Sequence, residues 1–146
     1  MGMAASAKDL KWRRDLLIFG RLCTFWAAVL ILRVLTGDPL KPPTEPFQDV
    51  FLGVKFFGPT AEMTMIAQAV IYAIFGIGIL MRQRWALIVA LLYFVQVVIG
   101  HVIFFVTNLH VPAQAVHVKI TAIGAPFMFV LLLYLWLRSR PLLFDE

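Results

Sequence analysis

Four long runs of apolar residues take up most of the sequence, and they constrain the fold more than any other feature. They cover residues 16–35, 60–81, 85–106 and 113–137. A helix needs about 20 mostly apolar residues to cross roughly 30 Å of hydrocarbon, and each run reaches that length. Because the apolar residues are continuous and do not alternate with polar ones, a β-barrel is not expected. We predict an all-α integral membrane protein, a four-transmembrane-helix bundle forming a single domain over residues 1–146.

The composition supports the same class of protein. Hydrophobic residues make up 62% of the chain and charged residues 14%, whereas soluble domains average about 45–50% and roughly 25%. Thirteen phenylalanines and four tryptophans also exclude a disordered chain, because disordered chains are poor in aromatic residues.

The positions of lysine and arginine predict the orientation in the membrane, because cytoplasmic loops carry an excess of both. Nine of the 13 fall at one end of the predicted bundle: Lys8, Lys11, Arg13, Arg14, Arg21, Arg82, Arg84, Arg138 and Arg140. The other four are Arg33, Lys41, Lys55 and Lys119. This asymmetry predicts cytoplasmic N- and C-termini in a bacterial inner membrane. Because the cations flank the spans, we expect them to contact anionic lipid headgroups and not nucleic acid.

The first outer loop, residues 37–59, is long and rich in proline. Phe47, Phe51 and Val54 recur at helical spacing, and Gly58-Pro59 ends the pattern. We therefore predict a short amphipathic helix on the outer membrane face. Two roles remain open for it: closing the outer end of its own bundle, or docking a neighbouring subunit.

Glu62, His101 and His117 are the candidate catalytic residues, because ionisable groups within a span are costly and often functional. Ala69 and Gly76 follow Glu62 on one helix face, in a stripe of small residues that allows another helix to approach closely. This spacing predicts that Glu62 points into the bundle.

Two histidines, His101 and His117, are also candidate cofactor ligands. Neutral imidazole can bind the central metal of a haem or a chlorin pigment, and it can transfer protons beside a quinone. The alternative is that these histidines hydrogen-bond lipid headgroups, water or loop carbonyls. No pair has metal-ligand spacing, since no His-x-x-x-His occurs, so the sequence predicts no metal-ion site.

Gln68 and Gln96 lie at similar depth in the second and third spans, and they complete the candidate cofactor-binding residues. A buried amide must find a hydrogen-bond partner in a lipid environment. The two glutamines could pair with each other or with Tyr72 or Tyr93, and a ligand headgroup could replace one of these partners.

Two short patches resemble the small four-helix membrane proteins of the DoxX type. They are the Arg21-Leu22 pair in the first span and residues 76–82, which close the second. The long proline-rich outer segment departs from that pattern, and no residue role is carried over.

Two functions follow from the sequence. The first is an accessory or structural subunit of a larger membrane complex, in contact with lipid or pigment and with other integral membrane subunits or a second copy of itself. Small size and a 14% aromatic content favour it. The alternative is a small membrane oxidoreductase or a protein that binds a hydrophobic, quinone-like ligand in an outer-facing pocket. The sequence has no Cys-x-x-Cys and no His-Glu-x-x-His, which favours the non-enzymatic function.

Overall fold

The computed structural model describes residues 14–37, 46–108 and 116–144, and for residues 116–122 it describes the backbone alone. Four helices and two strands follow one another in these segments: α1 (Arg14–Thr36), β1 (Gln48–Phe51), β2 (Val54–Phe57), α2 (Pro59–Leu80), α3 (Arg84–Thr107) and α4 (Val116–Phe144). All four helices are long and apolar enough to cross a membrane, α4 through its segment Ile123–Phe144. The prediction of four long apolar helices is therefore confirmed.

Glycine sets the closest approach between α1 and α2. A Cβ atom added at Gly76 would lie 2.7 Å from Thr24 Oγ1 and 3.1 Å from the carbonyl oxygen of Gly20. The Thr24 hydroxyl turns back to that same carbonyl at 3.0 Å, so its polar atom is satisfied inside the helix pair. Ala69, one of the small residues predicted to face a neighbouring helix, is buried on the same side of α2.

α2 and α3 form a tight helical hairpin. Residues 81–83 make the turn, with Arg82 in the left-handed region at φ 57°. A Cβ atom at Gly78 would lie 2.6 Å from the Cβ of Ala86, so the two backbones approach closely there. Aromatic rings fill the core beyond this contact: Phe19, Tyr72, Phe75, Tyr93 and Phe94.

α4 packs on the bundle mainly through its C-terminal half. Leu135, Ser139 and Leu142 are buried at offsets of four and seven residues, which places them on one helix face. Arg138 Nε lies 2.9 Å from Asp15 Oδ2 and joins α4 to the start of α1. We call this end of the bundle, where α1 and α3 begin and α4 finishes, the basic end.

The segment predicted as an amphipathic helix is instead an antiparallel β-hairpin, so that prediction is wrong. Phe51 pairs with Val54 across the two-residue turn Leu52-Gly53, whose φ angles of 53° and 78° are those of a type I′ turn. The base closes with a 2.8 Å hydrogen bond from the amide of Gly58 to the carbonyl of Phe47. Gly53 lies in the middle of this segment and is flanked by aromatic and β-branched residues, a pattern that favours a strand pair over a helix.

The hairpin packs against α2 and α3. A Cβ atom at Gly53 would lie 2.8 Å from the carbonyl oxygen of Gly100, so the turn rests directly on the α3 backbone. Lys55 Nζ lies 5.7 Å from the centre of the Phe104 ring, within range of a cation–π interaction. We call this end of the bundle the hairpin end.

Candidate functional site

The main polar cluster at the hairpin end is centred on the carboxylate of Asp49. Its Oδ2 atom accepts a hydrogen bond from the Thr64 hydroxyl at 2.7 Å and another from Gln68 Nε2 at 2.7 Å. Thr64 and Gln68 are four residues apart on α2 and therefore share one helix face. The strand places a carboxylate against that face, and the two donors hold it there.

Gln68 extends the cluster to α3. The hydroxyl of Tyr93 donates to Gln68 Oε1 at 3.2 Å, so the amide uses its donor toward the hairpin and its acceptor toward α3. Tyr93 is 7% exposed, and its ring centre lies 5.1 Å from that of Tyr72. Of the partners that the sequence left open for Gln68, the structure has Tyr93.

Sequence reasoning missed Asp49. The predicted amphipathic helix places it away from the apolar face, whereas its partners are 15 and 19 residues further along the chain. Nothing in the local pattern indicates a contact of that range. The only available signal was the Leu52-Gly53 turn, because a hairpin there brings Asp49 back toward the start of α2.

Gln96 is half-buried and has no hydrogen bond to any other residue in the described segments. The predicted pairing of Gln68 with Gln96 is therefore not formed. Gln96 remains a predicted ligand-binding residue without a partner on the described helices.

His101 lies on α3, one turn from Val97. Its Nδ1 atom is 2.7 Å from the carbonyl oxygen of Val97, and because a carbonyl oxygen only accepts, Nδ1 carries the hydrogen. The other nitrogen faces α4: a Cβ atom built on Gly124 would lie 3.6 Å from Nε2. A histidine fixed through Nδ1–H presents Nε2 as an acceptor, which is the form that binds a metal or accepts a proton.

Glu62 and His117 are not brought into contact with His101 by anything in the described residues. Glu62 is half-buried in the first turn of α2, and its carboxylate has no ion pair within the described segments. His117 begins α4, but its side chain lies outside the described atoms, as does the whole of His110. A shared site of Glu62, His101 and His117 therefore stays a prediction.

No group of three or more His, Cys, Asp and Glu residues that could hold a metal ion occurs in residues 14–37, 46–108 and 116–144. Cys23 is buried on α1 as a free thiol among apolar side chains. The haem, pigment and quinone hypotheses name His101 and His117 as ligands, and of these two the structure describes the side chain of His101.

An apolar groove lies between α3 and α4, nearer the basic end, with a volume of about 570 Å³. The α3 side chains that line it are Ile88, Leu91, Leu92 and Val95. The α4 side chains are Phe129, Leu132, Leu133, Trp136, Leu143 and Phe144. All ten are aliphatic or aromatic, and the indole N–H of Trp136 is the one hydrogen-bond donor that their side chains carry, so the groove can hold hydrocarbon.

The four apolar helices suggest a small membrane protein. Comparisons of the chain with protein-family models, with curated protein sequences and with solved structures find no match. The arguments for function therefore come from the residues themselves.

Proposed function

We propose that the protein is an accessory or structural subunit of a larger membrane complex and that the first half of α4 contacts its partner. The observation that carries this proposal is an exposed stripe on α4, which we call the α4 stripe: Ile123, Pro126, Phe127 and Val130. Ile123 is 76% exposed, and Phe127 and Val130 are each 63% exposed.

The α4 stripe has the spacing of a helix-packing face. Its members stand at offsets of three, four and seven residues, the pattern by which one helix presents a continuous apolar face to another. α4 packs on its own bundle through another face, where Leu135 and Leu142 are buried and Met128 and Leu131 pack against the core. The α4 stripe has no such contact within the described residues, which supports a second helical partner for it.

Site-specific photocrosslinking in the native membrane tests this function. A photoreactive phenylalanine analogue at Phe127 should give a discrete protein adduct, identified by mass spectrometry as another integral membrane subunit or a second copy of the chain. The matched control is the same analogue at Phe25, which is 67% exposed on α1 and outside the α4 stripe. Lipid adducts alone at both positions would contradict the proposal.

A second candidate function, binding of a hydrophobic cofactor or quinone-like ligand, is favoured by His101. The fixed Nδ1–H and the Nε2 atom turned toward Gly124, which has no side chain, leave an acceptor nitrogen at the contact between α3 and α4. This arrangement suits a haem, a chlorin or the carbonyl oxygen of a quinone once that oxygen is protonated.

An absorption spectrum and a quinone extraction of the native preparation test the second function. A Soret or chlorin band, or a bound quinone, that is lost in His101→Ala and kept in Thr107→Ala supports it. Thr107 is a suitable control because it lies on the same helix and is exposed. Absence of both band and quinone from the wild-type protein would rule this function out.

A further inference from the structure

We propose that the groove between α3 and α4 binds one acyl chain of an anionic phospholipid, whose phosphate is held by Arg84 and Arg140. The proposal goes beyond the accessory function, because it concerns a different face of α4 and would hold for a protein with or without a protein partner. It rests on the lining of the groove, on the position of the two arginines and on the length of the groove.

The apolar lining of the groove suits a hydrocarbon chain. All ten side chains around the 570 Å³ groove are aliphatic or aromatic, and several are largely exposed, such as Leu92 at 66% and Phe129 at 57%. Because these residues belong to helices long and apolar enough to span a membrane, the groove opens toward the hydrocarbon of the bilayer. An acyl chain covers this surface and brings no polar group of its own that would need a partner.

Two arginines stand where the groove reaches the basic end. Arg84 precedes Ile88 by four residues and Leu91 by seven, which places it on the groove face of α3. Arg140 lies four residues from both Trp136 and Phe144, which places it on the groove face of α4. Both walls of the groove therefore carry a guanidinium group toward the basic end.

Among the described residues, neither arginine has another partner. Arg84 and Arg140 are exposed and form no ion pair with any residue the structure describes, whereas Arg138, on another face of α4, pairs with Asp15. Guanidinium groups bind phosphate through paired N–H donors, and basic residues at a membrane surface favour anionic lipids. The positive charge of the two arginines thus favours a lipid whose headgroup carries a net negative charge over phosphatidylcholine, whose headgroup is zwitterionic.

The length of the groove matches the hydrocarbon thickness of one leaflet of the bilayer. From Arg140 back to Phe129, the α4 wall is about 16.5 Å long at 1.5 Å for each residue. One leaflet of a bilayer contributes about 15 Å of hydrocarbon. A phospholipid with its phosphate at Arg84 and Arg140 therefore has room for a chain along the whole depth of its leaflet. Trp136 lines the groove near the arginines, in keeping with the preference of tryptophan for the membrane interface.

Native mass spectrometry of the full chain tests the proposal, with phosphatidylglycerol and phosphatidylcholine of identical acyl chains added in equal amounts. We expect the wild-type protein to retain phosphatidylglycerol in preference, and R84Q/R140Q to reduce that preference about 20-fold. The matched control is R14Q/R21Q, which removes two exposed arginines of α1 that lie outside the groove. It should keep the wild-type preference.

A second variant separates the acyl chain from the headgroup. Val95→Trp fills the groove at a lining residue that is 41% exposed, so it should lower retention of both lipids without changing their ratio. Equal retention of the two lipids by the wild-type protein would overturn the proposal, as would an R84Q/R140Q protein with the wild-type preference. A protein dimer that forms through the groove and excludes lipid would also overturn it.

Discussion

The carboxylate of Asp49 accepts a hydrogen bond from the side-chain amide of Gln68 at 2.7 Å, which fastens the β-hairpin to α2. The same amide accepts from Tyr93 on α3 at 3.2 Å. Gln68 lies within the second apolar run of the sequence, and this one side chain connects the hairpin, α2 and α3. The hairpin is held at the end of the bundle by this polar contact as well as by the packing of Gly53 on Gly100.

Removing the carboxylate should release the hairpin. Asp49→Ala leaves the Gln68 amide without its acceptor, whereas the Thr64 hydroxyl can still donate to the carbonyl oxygen of Ala61 at 2.9 Å. An unmet buried donor costs about 1–3 kcal/mol, and the half-buried Gln68 falls toward the lower end of that range. We expect a lower unfolding temperature in detergent and faster amide hydrogen exchange in residues 48–57. Asp49→Asn keeps an acceptor oxygen and should be less affected. Unchanged exchange in Asp49→Ala would show that packing alone holds the hairpin.

A substitution in the hairpin turn should have the opposite effect and stabilise the protein. Leu52 has φ 53°, a conformation that costs an ordinary L-residue roughly 1–2 kcal/mol and that asparagine tolerates. Because its side chain is 53% exposed, Leu52→Asn should raise the unfolding temperature by relieving this strain. Gly53→Ala is the contrasting variant and should lower it, since its Cβ would lie 2.7 Å from Ile103 Cγ2. Equal effects of the two variants would contradict a type I′ turn seated on α3.

The number and the limits of the helices could be predicted from the sequence because long apolar runs have few alternatives. The predicted first two spans, 16–35 and 60–81, differ by one or two residues from Arg14–Thr36 and Pro59–Leu80. The predicted fourth span, 113–137, ends before Arg138 and Arg140, which indicate a membrane interface. The helix itself continues to Phe144, because Ser139 and Leu142 are buried against the bundle.

The hairpin and its polar contact could not be predicted in the same way. Phe47, Phe51 and Val54 fit a helical period, but over only eight residues a strand pair can show the same spacing of apolar residues. Contacts between residues 15 and 19 positions apart, such as those of Asp49, depend on the turn geometry and not on local spacing. The candidate site was therefore predicted in part: Gln68 and Tyr93 were named, and the carboxylate that completes their cluster was not.

The ion pair between Asp15 and Arg138 should contribute little to stability by itself. Its side chains are 31% and 37% exposed, and ion pairs open to solvent contribute about 0–1 kcal/mol. We expect Asp15→Asn and Arg138→Gln each to lower the unfolding temperature slightly, and the double variant to show a coupling energy below about 1 kcal/mol. The measurement is a double-mutant cycle at low and high salt. A coupling energy of several kcal/mol, insensitive to salt, would contradict this assignment.

The contact between α1 and α2 depends on the absence of a side chain at Gly76. In Gly76→Ala the new Cβ would lie 2.7 Å from Thr24 Oγ1 and 3.0 Å from the backbone nitrogen of Thr24, so the two helices must separate. Overpacking of this kind costs about 1–3 kcal/mol. We expect a lower unfolding temperature, measured in detergent micelles and again in lipid nanodiscs.

Gly124→Ala is the matched control, because it makes the same substitution within a helix, and among the described atoms its Cβ would meet only His101 Nε2, at an ordinary 3.6 Å. Both variants gain the same intrinsic helix propensity, about 1 kcal/mol in water, so the difference between them isolates the clash. Gly124→Ala should be neutral or stabilising. If Gly76→Ala proved equally stable, α1 and α2 would have to pack further apart than the Gly20–Gly76 contact requires.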